Sequence, residues 1–273
     1  MDFHPDETQQ AISRLAAEVV AGAGTPERLW KGLGQAGLLT LGAPEREGGA
    51  GLGVLETALV LVEIGRGAAA LPALRIDGTS LTIEDPKDQH PDWVRWEATS
   101  RPAPHPLTVA AACALGAGAL AGALDLTARH IRTREQFGRP LATFQAVAQQ
   151  IADVYIASRT LHLAVLSACW WLDAERAGDG RMGDGRTGDG RAGDGRAGNG
   201  RQAGDDLAVA AQWLTAEAPP ALRACHHLHG GLGLMIDYPL HRHTTLIRDL
   251  VRFLGGAEQA LSTLGERCVP RPD

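Results

Sequence analysis

Apolar residues recur at helical spacing along most of the chain. Ile12, Leu15, Ala16, Val19 and Val20 share one face of a stretch from 6 to 22. Pro26 suits the first turn of a second helix, whose stripe is Leu29, Trp30, Leu33 and Leu38. The run Pro44-Glu45-Arg46-Glu47-Gly48-Gly49-Ala50-Gly51-Leu52 is rich in breakers and reads as a loop. A third helix is expected from Val54 to Arg66, stopping near Gly67. From Leu107 to Arg132 the chain is apolar nearly all round, the pattern of a helix at the centre of a bundle. Another helix is expected from Phe144 to Arg176, with Val147, Ile151, Val154, Leu161, Val165 and Leu166 on one face. The last third reads as three helices: Asp206 to His229, Leu240 to Leu254 and Ala257 to Arg267.

Two stretches break this periodicity. Between Leu71 and Pro106, Pro, Asp, Thr and Trp dominate, with one strand-like alternation around Ser80 to Ile83. That piece is too short for an independent sheet domain. Residues 178–202 are five tandem pentapeptides, GDGRM to GNGRQ. A period of five matches no solenoid, and glycine at that density is entropically costly to order. The expectation is a flexible low-complexity insert, 178–204, between two helices. The expected organisation is an N-terminal helical domain at 1–75, a connecting segment at 76–104 and a C-terminal four-helix bundle at 105–273. The fold class is all-α.

Composition narrows the chemistry. The chain has 273 residues, 44% hydrophobic and only 4% aromatic, so the core must be built from Ala, Leu and Val. A net charge of -6 argues against a nucleic-acid surface, which needs clustered cations. No membrane span is expected, because Gly116, Gly118 and Gly122 interrupt the Ala-rich run. The acidic start, Met1 to Glu7, lacks the apolar stretch of a signal peptide, and the four cysteines show no C-x-x-C pair. A cytoplasmic protein with reduced thiols is expected. His226, His227 and His229, with His241 and His243, invite a metal reading, but i and i+2 point to different faces of a helix, and no metal site is expected.

Three segments carry a resemblance, in one order. The first is Trp30 to Gly37-Leu38, then Pro44-Glu45, Gly48-Gly49, Gly51-Leu52, Glu56 and Glu63. The second is Thr133-Arg134-Glu135-Gln136-Phe137-Gly138-Arg139-Pro140-Leu141, then Phe144-Gln145 and Ala152-Asp153. The third is Cys225-His226-His227-Leu228-His229-Gly230-Gly231-Leu232-Gly233, then Tyr238-Pro239. Together they resemble the acyl-CoA dehydrogenase family. The resemblance implies FAD, with Arg134, Gln136, Phe137, Gln145, His227, Gly230 and Gly231 as cofactor-binding residues. In the family the matching Arg, Gln and Phe reach across a subunit interface to FAD held mainly by a neighbour. The residues fit such a role. An Arg at a helix end can fork across two phosphate oxygens, and a Gly pair lets backbone approach a dinucleotide. The family commonly has Gln where this chain has His227, whose imidazole donates one hydrogen bond.

The departures matter as much. The family's middle β domain is missing or vestigial here. Its catalytic carboxylate falls at Leu254, or in an alternative position at Thr108, and neither can take a proton. Glu258, one turn beyond Leu254, is the candidate base within this chain. The resemblance therefore implies the shortened, base-lacking subunit of a heteromeric, steroid-CoA type acyl-CoA dehydrogenase. Its partner would be a homologous full-length subunit, in a heterodimer or heterotetramer, which supplies the base and the acyl-CoA pocket. Two rival readings follow from the same residues: a self-sufficient dehydrogenase using Glu258, and a structural or regulatory bundle without flavin.

Overall fold

A computed structural model of the chain describes residues 5–68, 73–77, 80–84, 104–180 and 193–269. The elements run α1 (Glu7–Ala23), α2 (Pro26–Gln35), α3 (Val54–Arg66), β1 (Ala73–Asp77), β2 (Ser80–Glu84), α4 (Pro106–Thr133), β3 (Glu135–Gln136) and β4 (Arg139–Pro140). Then come α5 (Gln145–Gly180), α6 (Gly193–Ala216), α7 (Ala218–His229), α8 (Leu240–Phe253) and α9 (Gly256–Cys268). The all-α class stands: helices of two packed domains, with a vestigial sheet between them.

Local signals explain the helix starts. Asp6 caps α1 in a reciprocal box with Gln9. Thr25 caps α2, and Pro26 takes its first position. The start of α3 is capped from a distance. Asp173 on α5 accepts the backbone N–H groups of Val54 at 2.7 Å and Leu55 at 2.9 Å. Arg176, one turn on, donates to the Leu52 carbonyl at 3.0 Å. Burial pushes the Asp173 carboxyl up, and the two N–H donors pull it back down.

α4 is the centre of the molecule, with α3, α5, α6, α7 and α8 packed around it. Its small residues allow backbones to touch. A Cβ on Gly118 would overlap the Val62 carbonyl, and one on Gly122 would overlap the Arg66 carbonyl. At the edge of this contact Arg66 of α3 pairs with Asp125 of α4 at 2.6 Å. Contrary to expectation, α4 is long and apolar enough to cross a membrane by length and composition, but 83% of that apolar window is buried inside the protein. Glycine interrupts neither the apolar pattern nor the helix here, because each glycine is a packing contact.

Three further boundaries differ from the expectations. β1 and β2 form an antiparallel hairpin, Ala73 opposite Glu84, which straddles the boundary expected at 75. Ile83 is buried and its N–H donates to the Leu39 carbonyl at 3.1 Å, so the hairpin sits with the N-terminal helices. The stretch Asp206 to His229 is two helices, because Ala218-Pro219-Pro220 starts a new one after Glu217. The insert expected at 178–204 is helical at both ends, to Gly180 and from Gly193. Tertiary contacts overcome the glycine cost near its end: Ala203 is buried, and Arg267 of α9 bonds the Asp205 carboxylate at 2.7 Å and the Arg201 carbonyl at 3.0 Å. Residues 181–192, like most of the connecting segment, lie outside the described residues.

Candidate functional site

The last turn of α4 leads into a short projecting arm. Arg134 caps the helix, its N–H donating to the His130 carbonyl at 2.8 Å. β3 and β4 then form a minimal hairpin, Gln136 opposite Arg139. Its two turn residues are Phe137 (φ 53) and Gly138 (φ 76). Two successive positive φ values are what a tight two-residue hairpin requires. Gly138 adopts that region freely, but a bulky Phe there is strained by about 1–2 kcal/mol. The turn presents Phe137 outward, 92% exposed, with its ring edge-on to Phe144 at 6.3 Å between centroids. The arm closes where Leu141 N–H donates to the Arg134 carbonyl at 2.8 Å. Arg139 lies over the Phe144 ring, 4.1 Å from its centroid, and stiffens the base. Arg134, Gln136 and, at the start of α5, Gln145 are all exposed.

The second segment is the end of α7. Gly230 terminates the helix at φ 59, ψ -140, its N–H donating to the His227 carbonyl. Nothing lies within 4 Å of a Cβ placed on Gly230 or Gly231, so their backbone faces open space. His227 is exposed beside them. His226 turns inward instead: its Nδ1–H donates to the Gly233 carbonyl at 3.0 Å, and Nε2 sits 2.7 Å from the Thr244 hydroxyl. His229 is buried, and its ring stacks on His130 of α4, centroids 4.4 Å apart and planes 20° off parallel. This stack joins the base of the arm to the base of the glycine loop.

The electrostatics are plain. Burial, then the Arg134 guanidinium, lowers the His130 pKa; burial also lowers that of His229. Both shifts favour the neutral ring, which leaves the positive charge of the arm mainly to its arginines. The histidines do not converge on a metal: among the described residues no three His, Cys, Asp or Glu side chains come together. His241 donates to the Tyr238 carbonyl at 2.7 Å, and His243 is buried against α4.

The candidate base positions lie elsewhere. Thr108 is buried in α4 at 3% exposure, and Leu254 caps α8 against the core. Glu258 is exposed in the first turn of α9, beyond the double turn of Gly255 (φ 82) and Gly256 (φ 83). α9 packs on α6 and α8, whereas the arm packs on α4.

Sequence reasoning missed the His130–His229 stack and the Asp173 cap. Both join residues far apart in the chain, and no local signal marks such pairs.

The architecture is a helical bundle with a reduced middle sheet. Residues 6–84 match the acyl-CoA dehydrogenase N-terminal domain, and residues 108–183 match the acyl-CoA dehydrogenase C-terminal domain. Acyl-CoA dehydrogenase FadE28 of Mycobacterium tuberculosis is 30% identical, with 98% of this chain and 99% of the relative covered. That alignment runs over 367 positions for a 273-residue chain, so the relative carries stretches that this chain lacks. Among solved structures, the ChsE4–ChsE5 complex from Mycobacterium tuberculosis has a TM-score of 0.73 at 23% identity, with 100% of both chains covered. The Tcur3481–Tcur3483 steroid ACAD has a TM-score of 0.69 at 22% identity, covering 96% of this chain and 97% of that one. The chain belongs to the acyl-CoA dehydrogenase family of flavin-dependent oxidoreductases.

The family's cofactor can be tested against the residues present. An exposed guanidinium on a stiffened arm suits a diphosphate, and the open backbone at Gly230 and Gly231 suits close approach by a dinucleotide. These residues would hold such a group at the outside of this chain.

Proposed function

We propose that this chain is the accessory subunit of a heteromeric, FAD-dependent acyl-CoA dehydrogenase, completing the FAD site of a catalytic partner. The observation that supports it most is the outward aim of the site. Phe137 is 92% exposed on the arm, and the loop after Gly230-Gly231 exposes Leu234 at 81% and Ile236 at 74%. Apolar side chains around polar cofactor groups mark a surface that another subunit covers. The absence of a carboxylate at Thr108 and Leu254 supports the division of labour. Two-subunit relatives of the same fold support it too.

In this reading Arg134 pairs with the FAD diphosphate. Gln136 and Gln145 supply hydrogen bonds, Phe137 offers an apolar face, and His227 donates one hydrogen bond. The Gly230-Gly231 backbone lies close to the dinucleotide. Bound FAD supplies the hydride acceptor for α,β-dehydrogenation of an acyl-CoA thioester. The partner supplies the carboxylate that takes the α-proton. The likeness to a steroid ACAD supports a steroid-derived acyl group; a cytoplasmic location is part of the proposal.

The test is one co-expressed complex and two variants. Arg134→Ala removes a charge-assisted pair worth about 1.5–3 kcal/mol. FAD affinity should fall about tenfold to a hundredfold, with Arg134→Lys a partial rescue. Glu258→Gln should leave turnover intact. Full FAD content in Arg134→Ala defeats the cofactor role, and dead chemistry with normal FAD in Glu258→Gln makes this chain the catalytic subunit.

A further inference from the structure

His229 is the last residue of α7, and its ring is 5% exposed. Its Nδ1–H donates to the Cys225 carbonyl at 2.8 Å, one turn back along its own helix. A carbonyl can only accept, so this bond fixes the tautomer and leaves Nε2 as a bare acceptor. That Nε2 is buried and has no partner among the described residues. Core imidazoles normally satisfy both nitrogens, because an unpaired buried acceptor is costly. What the ring does beyond that bond is read from its packing.

Its aromatic contacts show what. One neighbour is His130, stacked at 4.4 Å. His130 lies one turn before Arg134 and accepts the Arg134 N–H at 2.8 Å. The other neighbour is Tyr238, at 5.1 Å between centroids. Tyr238 ends the loop that Gly230 begins. One ring thus touches the α4 turn that carries Arg134 and both ends of the loop 230–238. The two segments assigned to FAD come from α4 and α7, far apart in sequence, and this cluster spans them.

We infer that His229 is a positioning residue. It sets the Gly230-Gly231 loop in register with the Arg134 arm, through the His130–His229–Tyr238 ring cluster. The inference rests on the FAD-completing reading above. It adds that the spacing of the two cofactor segments is set by ring packing. The ring, not the Nε2 atom, is what matters. His229→Phe keeps an aromatic ring but loses both nitrogens, including the Nδ1–H donor to the Cys225 carbonyl; His229→Ala removes the ring.

Two measurements test this. The first uses the chain alone: amide hydrogen exchange across 230–238. Protection should fall in His229→Ala and return in His229→Phe. The second uses the co-expressed complex and its FAD dissociation constant. His229→Ala should weaken FAD binding about threefold to tenfold, the scale of an aromatic pair, with His229→Phe within about twofold of the parent. The combination His130→Ala with His229→Ala should cost less than the sum of the singles, because either one breaks the stack. Val60→Ala, in the core away from the loop, should lower the melting temperature without moving the FAD constant. A shift in the FAD constant there would make the His229 effect one of general stability and overturn the inference. Equal losses in His229→Ala and His229→Phe would also overturn it, by assigning the role to the imidazole nitrogens. An unchanged FAD constant in His229→Ala, beside a weakened one in Arg134→Ala, overturns this inference and spares the reading beneath it. An unchanged constant in Arg134→Ala as well overturns both.

Discussion

Two pairs of glycines in this protein serve opposite ends. At Gly118 and Gly122 of α4 a Cβ would meet the backbone of α3. At Gly230 and Gly231 it would meet nothing. The first pair lets two helices of one chain touch. The second pair keeps backbone bare where this chain has nothing of its own to place against it. α4 shows the same contrast along its length. Its body is buried from Leu107 to Leu120 apart from half-buried Val109, and its last turn opens into an exposed, strained arm. Residues that serve the fold are packed within the molecule. Residues proposed to serve the family's chemistry are held out from it.

The contrast predicts effects of very different size. Gly118→Val should be the most damaging, since the new side chain must push α3 and α4 apart. Overpacking of this kind costs about 3 kcal/mol, the upper end of its usual range. A thermal melt checks it, and a melting temperature within a degree of the parent would show that the helix contact can relax.

A second prediction concerns the same core at low pH. Burial drops the His243 pKa from 6.5 to about 4, with the Ala119 carbonyl opposing and the Arg242 charge reinforcing the shift. The unfolded chain therefore binds a proton below pH 6.5 that the folded chain refuses until about pH 4. Stability falls as pH drops through that window, by at most about 1.4 kcal/mol per pH unit for this group. His243→Phe removes the term. Denaturant midpoints of the two proteins should diverge between pH 6.5 and 4 in favour of the variant, relative to their difference at pH 8. Parallel curves would show that His243 titrates normally.

Much of this was legible in the sequence, and the reasons are local. Periodicity located α1 to α5, and Thr-Arg-Glu-Gln-Phe-Gly located the arm within a residue or two. Cap residues and prolines carry such information in their immediate neighbours. The break in the α6–α7 stretch was in view as Pro219-Pro220, but the apolar pattern on both sides hid it. The ordered start of α6 was not legible at all. Its glycines argue for coil, and the bonds that Arg267 makes to Arg201 and Asp205 nearby come from far along the chain. The same applies to the site. The segments that bear Arg134 and Gly230 announce themselves by their residues, but the His130–His229 stack that joins them is a tertiary fact. The cap on α3 by Asp173 is another.

The smallest structural effect makes the sharpest use of the comparison. Gly231 has no positive φ and faces open space, so Gly231→Ala needs neither strain nor room. Replacing glycine where the backbone already suits alanine is neutral or stabilises by about 0.4–1 kcal/mol, through the unfolded chain. The melting temperature of the isolated chain should hold or rise slightly. In the co-expressed complex the same methyl should meet the dinucleotide, and a methyl forced into a filled space costs about 1–3 kcal/mol. FAD binding should then weaken by about fivefold or more. Gly118 should show the reverse order, with the fold damaged first. A Gly231→Ala chain that melts early yet keeps FAD at parental affinity would place Gly231 among the packing glycines. A chain that is unchanged alone and loses FAD only in the complex would locate the missing neighbour of Gly231 outside this subunit.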